Sequence, residues 1–178
     1  VVAGGRAGPD LALGLMLTIR SLQHDDIAAV LRLNAQAVPA VFRLDHSEIS
    51  RLMEISRLHL AAARPDGTLA GYALAFSWEQ SYDGEEFRAL QSSIASSFVY
   101  VDQIAIEERS RGTGIGRMLY EELALRARRV GASTLCCEVN TEPPNPSSLS
   151  FHRRMGFTIV GEINTRDGRT VALLRREV

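Results

Sequence analysis

The chain has 178 residues, of which 46% are hydrophobic and 23% are charged. These proportions are typical of a single globular domain that is large enough to bury a substantial core. Its 20 basic and 21 acidic residues give a formal net charge of −1, and this balance argues against a bulk electrostatic partner. We therefore expect neither nucleic acid nor a membrane as a partner.

The two cysteines, Cys136 and Cys137, are adjacent and belong to no metal-ligand spacing, so the sequence predicts no metal site. Neighbouring cysteines are poorly placed to bridge each other, and a reduced, cytoplasmic location fits them best. Residues 1–15 are rich in glycine and alanine, and their apolar run is far shorter than the ~20 residues of a membrane span. We interpret residues 1–15 as an N-terminal extension and residues 16–178 as one domain.

The first half of the chain shows short apolar runs separated by turn residues. These patterns predict, in chain order, a strand at Leu17–Arg20, a helix from Ile27, a helix at Ser47–Arg57, and a hairpin of Leu58–Arg64 and Thr68–Ser77. Pro65-Asp66-Gly67 supplies the hairpin turn. The stretch 78–97 is rich in Ser, Glu and Tyr, and we expect a long loop there.

The second half has the stronger periodicity. It predicts a strand at Phe98–Ile106, an amphipathic helix at about 114–130, a strand at Thr134–Asn140, a short helix at Ser147–Met155, and a closing hairpin of Phe157–Ile163 and Arg169–Arg175. The fold class is therefore α/β (α+β). We expect a mixed, mostly antiparallel sheet of six to seven strands, flanked by about four helices, with one β-α-β crossover at 98–140.

A glycine-rich turn, Arg111-Gly112-Thr113-Gly114-Ile115-Gly116, joins the strand at 98–106 to the long helix. Glycines let a backbone turn tightly and expose its N–H groups, and the helix start adds the positive end of a dipole. Such a turn suits a pyrophosphate. A nucleotide P-loop would need Lys-Ser/Thr after the last glycine, where this chain has Arg117 and Met118. The dinucleotide fingerprint has other glycine spacings, which leaves coenzyme A or a purely structural turn.

Two separated motifs carry a resemblance to a known family. Gln103-Ile-Ala-Ile106 followed by the glycine turn resembles motif A of the GNAT superfamily of N-acetyltransferases. Asn145-Pro-Ser-Ser148, followed by His152 and Gly156-Phe157, resembles its motif B at the family's spacing. The resemblance extends from about residue 17 to the C-terminus. It implies a GNAT-like fold and transfer of an acetyl group from acetyl-CoA to a primary amine, on a small molecule or a peptide N-terminus.

The resemblance also implies which residues hold the coenzyme. The backbone of Ile104, Ala105 and Ile106 would pair with the pantetheine arm like an added strand. Backbone N–H groups from Arg111 to Gly116 would hold the pyrophosphate, and Arg111 and Arg117 would add positive charge. Asn145 and Ser148 would lie near the far part of the cofactor arm. The strands at 98–106 and 134–140 would splay apart and form the cleft where thioester and amine meet.

The catalytic groups are less sharply defined. Asp102 and Glu79 are candidate bases. The alternative for Asp102 is a purely structural carboxylate, and the alternative for Glu79 is a solvated loop charge. Where the family usually has a tyrosine, four residues before the Gly-Phe glycine, this chain has His152. A histidine can give a proton to the leaving thiolate at neutral pH, or it can only hydrogen-bond the cofactor or pack in the helix. Tyr100 is a substitute donor.

The acceptor is not defined by any motif. Glu79, Asp83, Glu85 and Glu86 put four carboxylates in the 78–97 stretch, which near the cleft would favour a cationic amine. We expect the Val38–His46 stretch to form the other wall, as the resemblance implies. The alternative function is a catalytically silent acyl-CoA-binding regulatory domain, and the change from Tyr to His mildly favours it. Pairing of the last hairpin between the subunits of a homodimer stays open.

Overall fold

The structure is a computed structural model that describes residues 17–178. The extension predicted at residues 1–15 and the domain start at residue 16 lie outside the described residues. Within the described part, no helix is long and apolar enough to cross a membrane. No group of three or more His, Cys, Asp or Glu side chains in the same part of the chain is arranged to hold a metal ion.

Seven strands form one sheet in the order β1-β2-β3-β4-β5-β7-β6. The strands are β1 (Thr18–Ser21), β2 (Leu60–Ala63), β3 (Leu69–Ser77), β4 (Phe98–Ile106), β5 (Thr134–Glu142), β6 (Thr158–Asn164) and β7 (Thr170–Glu177). Every neighbouring pair is antiparallel except β4 and β5, which are parallel. Parallel neighbours need a crossover connection. The predicted mixed, mostly antiparallel sheet with one central crossover is confirmed.

Five α-helices lie among the described residues: α1 (Ile27–Ala37), α2 (His46–Ile55), α3 (Glu85–Ser93), α4 (Ile115–Arg129) and α5 (Pro146–Arg154). The helix that the sequence prediction missed is α3, so the expected loop over 78–97 is wrong in its second half. Phe87 and Leu90 on α3 are fully buried. Their spacing of three residues is a helical signal, but the surrounding Ser and Glu residues obscured it.

The sheet is covered on both faces. Buried side chains of α1, α2 and α3 pack on one face, together with Tyr72, Phe76 and Tyr100 of the strands. On the other face, α4 packs on alternate positions of β4 and β5, and Leu149 and Phe151 of α5 pack against the same cluster. Because helices cover both faces, the middle of the sheet is buried, and a gap between two central strands becomes a cavity with protein on both sides of the sheet.

Candidate active site

The central strands β4 and β5 part from each other halfway along their length. They pair only from Phe98 with Thr134 to Val101 with Cys137. Beyond these residues β4 continues to Ile106 paired with β3, and β5 continues to Glu142 paired with β7. We call the divergence beyond Val101 and Cys137 the fork. The splay that the family resemblance implies is therefore present, and each arm of the fork presents an unpaired strand edge.

A β-bulge sets the direction of Asp102. Leu74 of β3 pairs with Gln103 and Ala75 pairs with Val101, so Asp102 is the extra residue on β4. A bulge re-aims the side chain that it carries. Here it brings Asp102 to the wall of the fork while Gln103 returns to the buried face toward α1.

A cavity of about 930 Å³ occupies the fork and extends to both sides of it. This is at the upper end of the range for small-molecule sites. Of the cofactor-binding residues predicted from the sequence, all except Thr113 line the cavity. Thr113 instead donates a hydrogen bond from Oγ1 to the carbonyl oxygen of Ser110 over 2.7 Å, and this bond stabilises the glycine turn.

The glycine turn needs glycine for its backbone conformation. Gly112 and Gly114 have φ angles of +77° and +91°, and a Cβ atom at either position would meet nothing within 4 Å. Helix α4 begins directly afterwards, with no acidic residue in its first turn. The amides of that turn have no acceptor within the helix. Arg111 and Arg117 are exposed on the cavity wall beside them, so the turn is built to bind an anion.

Gly116 is required for a different reason, because a Cβ atom there would come within 3.2 Å of Cζ of Phe151. The missing side chain lets α5 pack closely against the start of α4. Asn145 caps the N-terminus of α5, and its side chain accepts a hydrogen bond from the backbone N–H of Ser148 over 3.2 Å. Asn145 and Ser148 thus lie on the same cavity wall as the glycine turn.

Two carboxylates stand on the two arms of the fork, each one residue beyond the last pair: Asp102 on β4 and Glu138 on β5. The Tyr100 hydroxyl donates to Oε2 of Glu138 over 2.6 Å and lies 3.4 Å from Oδ1 of Asp102. The Tyr82 hydroxyl donates to Oδ1 of Asp102 over 2.6 Å. Among the described residues, Oδ2 of Asp102 and Oε1 of Glu138 bond to no side chain. Neither oxygen is sealed from the cavity.

The environment of the fork favours the protonated form of these carboxylates. Withdrawal from water raises the pKa of Asp102 to about 6, opposed by the Tyr82 hydrogen bond and reinforced by the charge of Glu86. Withdrawal from water also raises the pKa of Glu138 well above its ordinary value, and the charges of Asp102 and Glu86 add to the effect. A carboxylate whose pKa approaches neutrality is suited to exchange a proton with a substrate.

Glu79 and Tyr100, two further candidates from the sequence, do not line the cavity. Glu79 is exposed in the connection after β3 and is not part of the cavity wall. Tyr100 is fully buried behind the wall, with its hydroxyl bound to Glu138. Glu79 lies on the solvent side of its loop, and the alternation of β4 turns Tyr100 into the core, so neither faces the cavity directly and their catalytic roles stay predictions.

His152 is buried and has both ring nitrogens occupied. Nδ1 lies 2.8 Å from the Ser148 carbonyl oxygen. A carbonyl only accepts hydrogen bonds, so we assign the ring proton to Nδ1. Nε2, 2.7 Å from the Tyr120 hydroxyl, then accepts from that hydroxyl. Burial lowers the pKa of His152, which favours this neutral form.

Tyr120 of α4 therefore stands between His152 and the fork. Its hydroxyl lies beside the thiol of Cys137, the last paired residue of β5, and the residue lines the cavity. Sequence reasoning missed Tyr120 because position 120 fits the apolar stripe of α4. It missed Glu138 because a single polar residue in a strand resembles a solvent-facing position. No local signal distinguishes either residue.

The connection between α1 and α2 forms the predicted second wall. The buried Asn34 amide nitrogen donates to the Phe42 carbonyl oxygen over 2.9 Å, and the Asn34 side-chain oxygen accepts from the Leu44 N–H over 2.9 Å. Gln103 of β4 donates to the same Phe42 oxygen over 3.0 Å. These bonds hold the connection against the sheet and leave the Phe42 side chain 60% exposed on the cavity wall.

Comparison with known proteins gives a consistent result. The family described as Acetyltransferase (GNAT) matches residues 28–157. The L-methionine sulfoximine/L-methionine sulfone acetyltransferase of Pseudomonas aeruginosa is 31% identical over 104 residues, which cover 58% of this chain and 52% of that protein. The chain thus matches about half the length of this relative. The protein of the same description from Salmonella typhimurium is 26% identical over 159 residues, 83% of each chain.

Solved structures show the same fold at lower identity. Ard1 from Thermoplasma volcanium superposes with a TM-score of 0.74 and 18% identity, covering 92% of this chain and 98% of that one. A phosphinothricin acetyltransferase from Sinorhizobium meliloti, in complex with acetyl-CoA, superposes with a TM-score of 0.69 and 21% identity, covering 92% and 89%. The matched residues 28–157 include the fork, the glycine turn and α5. The chain therefore belongs to the acetyltransferase (GNAT) family.

Proposed function

We propose that this protein transfers the acetyl group of acetyl-CoA to a primary amine, on a small molecule or a peptide N-terminus, by direct attack of the amine. The observation that carries the proposal is the order of groups along one cavity. An anion-binding helix start lies at one end, an unpaired strand edge leads to the fork, and two carboxylates of raised pKa lie at the fork. The acetyltransferases of methionine derivatives among the relatives support an amine acceptor.

The chain's residues fit coenzyme A. The first-turn amides of α4, with Arg111 and Arg117, would bind the pyrophosphate, while the free edge of β4 at Ile104–Ile106 would pair with the pantetheine arm. Asn145 and Ser148 would contact that arm from α5. Bound in this way, acetyl-CoA supplies the activated acetyl group at the fork. Backbone N–H groups on the free edge of β4 would stabilise the oxyanion that forms when the amine attacks.

The carboxylates at the fork deprotonate the amine. An amine attacks a thioester only when it is neutral, and Asp102 has an oxygen open to the cavity that can accept the amine's proton. Glu138, on the opposite arm, repels a second negative charge at Asp102, which keeps the affinity of the pair for a proton high. We assign Asp102 as the base. Glu138 is the neighbouring carboxyl group that, through this repulsion, raises the proton affinity of the pair.

The leaving thiolate takes a proton from the other side of the fork. We assign this step to Tyr120 and His152 acting together, because the Tyr120 hydroxyl is bonded to Nε2 of His152 and lies beside Cys137. The proton given to the thiolate is that of the Tyr120 hydroxyl, and the neutral His152, whose Nε2 accepts from this hydroxyl, positions it. After transfer Asp102 holds the proton taken from the amine and Tyr120 lacks the one given to the sulfur; exchange with water restores both groups, and the products are an amide and a thiol.

Thiol release from acetyl-CoA in the presence of a panel of primary amines tests the proposal. The wild-type chain should release thiol with at least one amine, and mass spectrometry should find that amine heavier by one acetyl group. The Asp102→Asn variant is the control for amine-dependent release. Binding of acetyl-CoA without turnover for any amine would refute the proposal and favour a silent regulatory domain.

We further infer a cytoplasmic location, because Cys136 and Cys137 are buried free thiols, which suits a reducing compartment. Association into a homodimer through the β6–β7 hairpin stays a prediction, which analytical ultracentrifugation tests. The absence of nucleic-acid and membrane partners is likewise a prediction from the balanced charge of the chain.

A further inference from the structure

The two ends of the cavity have different charges. The coenzyme end, formed by the glycine turn, the start of α4 and α5, carries three arginines: Arg111, Arg117 and Arg154. We call the opposite part, from the fork to α2, α3 and the β6–β7 turn, the acceptor end. It is lined by the carboxylates of Glu48, Asp83, Glu85, Glu86, Asp102, Glu138 and Asp167. Three arginines share this end: Arg51, Arg166 and Arg169.

Each arginine of the acceptor end already faces a carboxylate of the same wall. Arg51 lies 3.3 Å from Asp83, and Arg166 lies 4.0 Å from Glu85. Arg169 contacts both Glu86, at 3.1 Å, and Asp167, at 2.7 Å. Among the described residues this end therefore has seven carboxyl groups against three guanidinium groups, and this balance disfavours a carboxylate on the acceptor.

Three carboxylates of the acceptor end have no arginine partner in the described part of the chain: Glu48, Asp102 and Glu138. Asp102 and Glu138 each keep one oxygen open to the cavity at the fork. Glu48 is half-buried on α2 and lines the same cavity. An acceptor that spans from the fork to α2 therefore meets carboxyl groups without an arginine partner at both of its ends, and a bound ammonium favours their ionised form.

An aromatic side chain also lines this cavity. Phe42 is 60% exposed on the cavity wall, and its backbone is fixed by the buried amides of Asn34 and Gln103. A fixed, exposed ring offers its face to a cation or to a methylene chain. The acceptor end thus combines carboxyl groups without an arginine partner, at the fork and on α2, with an exposed aromatic side chain.

We propose that the acceptor is an amine with a second positive charge and no carboxylate, of the diamine or polyamine class. The amine to be acetylated binds at Asp102 and Glu138, the methylene chain lies along Phe42, and the second ammonium faces Glu48. This inference rests on the proposed function and narrows its acceptor. It sets this chain apart from the relatives, which are named for zwitterionic methionine derivatives.

Three matched amines test the proposal: cadaverine, pentylamine and L-lysine. Pentylamine is cadaverine without the second ammonium group, and L-lysine is cadaverine with one added carboxylate. Calorimetry measures the affinity of each for the full chain saturated with free coenzyme A, so the result does not depend on turnover. We expect cadaverine to bind roughly tenfold more tightly than either of the other two, because each loses a favourable contact or adds a repulsive one. This preference should weaken with added salt.

A variant outside the proposed catalytic groups tests the role of Glu48. The Glu48→Gln change keeps a side-chain oxygen for the cap of α2, where Oε2 of Glu48 accepts from the Asp45 N–H over 2.8 Å. It should reduce the preference for cadaverine over pentylamine by roughly threefold to fivefold and leave pentylamine binding unchanged. Glu54→Gln is the matched control, since Glu54 is exposed on the same helix but does not line the cavity.

Equal binding of cadaverine and pentylamine, or tighter binding of lysine than of cadaverine, would overturn the inference about the acceptor. A failure of the proposed function gives a different result, because acetyl-CoA then releases no thiol with any amine. The order of affinities among the three amines still tests whether the cavity prefers a ligand with two positive charges.

Discussion

The strongest prediction concerns Gly114, because the whole placement of the coenzyme depends on the turn that it belongs to. Gly114 has a φ angle of +91° and immediately precedes α4. The Gly114→Val change adds a side chain that meets nothing within 4 Å, so its cost is conformational. The left-handed region costs an L-residue about 1–2 kcal/mol, and the backbone can relieve that strain by rotating out of it.

Rotation at Gly114 would turn the amides of the α4 start away from a bound pyrophosphate. A hydrogen bond to a charged group contributes about 1.5–3 kcal/mol, so the loss of one such bond corresponds to roughly tenfold to a hundredfold weaker binding. We expect the dissociation constant for coenzyme A to rise by at least tenfold, while the protein still folds. Isothermal titration calorimetry measures the affinity, and chemical denaturation measures the free energy of unfolding.

Gly67 provides the matched control. It has a φ angle of +83°, a Cβ atom there would also meet nothing within 4 Å, and it lies outside the cavity wall in the turn between β2 and β3. Gly67→Val should lower the free energy of unfolding by a similar amount and leave coenzyme A affinity unchanged. If both variants bind coenzyme A as the wild type does, the anion site is not at the start of α4.

Three further outcomes are expected. Asp102→Asn should lower kcat roughly a hundredfold or more at unchanged acetyl-CoA affinity, and it should abolish the fall in wild-type kcat/KM below about pH 6; an unaltered pH profile would exclude Asp102 as the base. His152→Phe should lower turnover while acetyl-CoA affinity stays close to normal, and unchanged turnover would remove His152 from the mechanism. Burial lowers the pKa of His59 from 6.5 to about 4, so below pH 6.5 the unfolded chain binds a proton that the folded chain does not, and the free energy of unfolding should fall by up to roughly 3 kcal/mol between pH 6.5 and pH 4. Denaturation of the wild type and of His59→Gln at both pH values checks this. If the free energy of unfolding changes equally with pH in the two proteins, the prediction is wrong.

The elements that the sequence predicts well are those with a strong local signal. The stripe of α4, ended by Gly131, and the run of β4 both lie within two residues of their predicted bounds, because apolar periodicity directly reports which face is buried. The glycine turn was equally clear, since positive φ angles at Gly112 and Gly114 have few alternatives to glycine. Helix α3 was missed because its two buried residues contribute too little periodicity against a polar background.

The sequence by itself determined the fold class, the family motifs and the residues of the glycine turn, because each is carried by spacing within one segment of chain. The tertiary structure decided the composition of the fork. Glu138 meets Asp102 across two strands, and Tyr120 meets His152 across two helices, at a separation of 32 residues. It also placed Glu79 outside the cavity wall. Such contacts depend on where strands stop pairing and which faces helices present, and neither is encoded in the local pattern of any one segment.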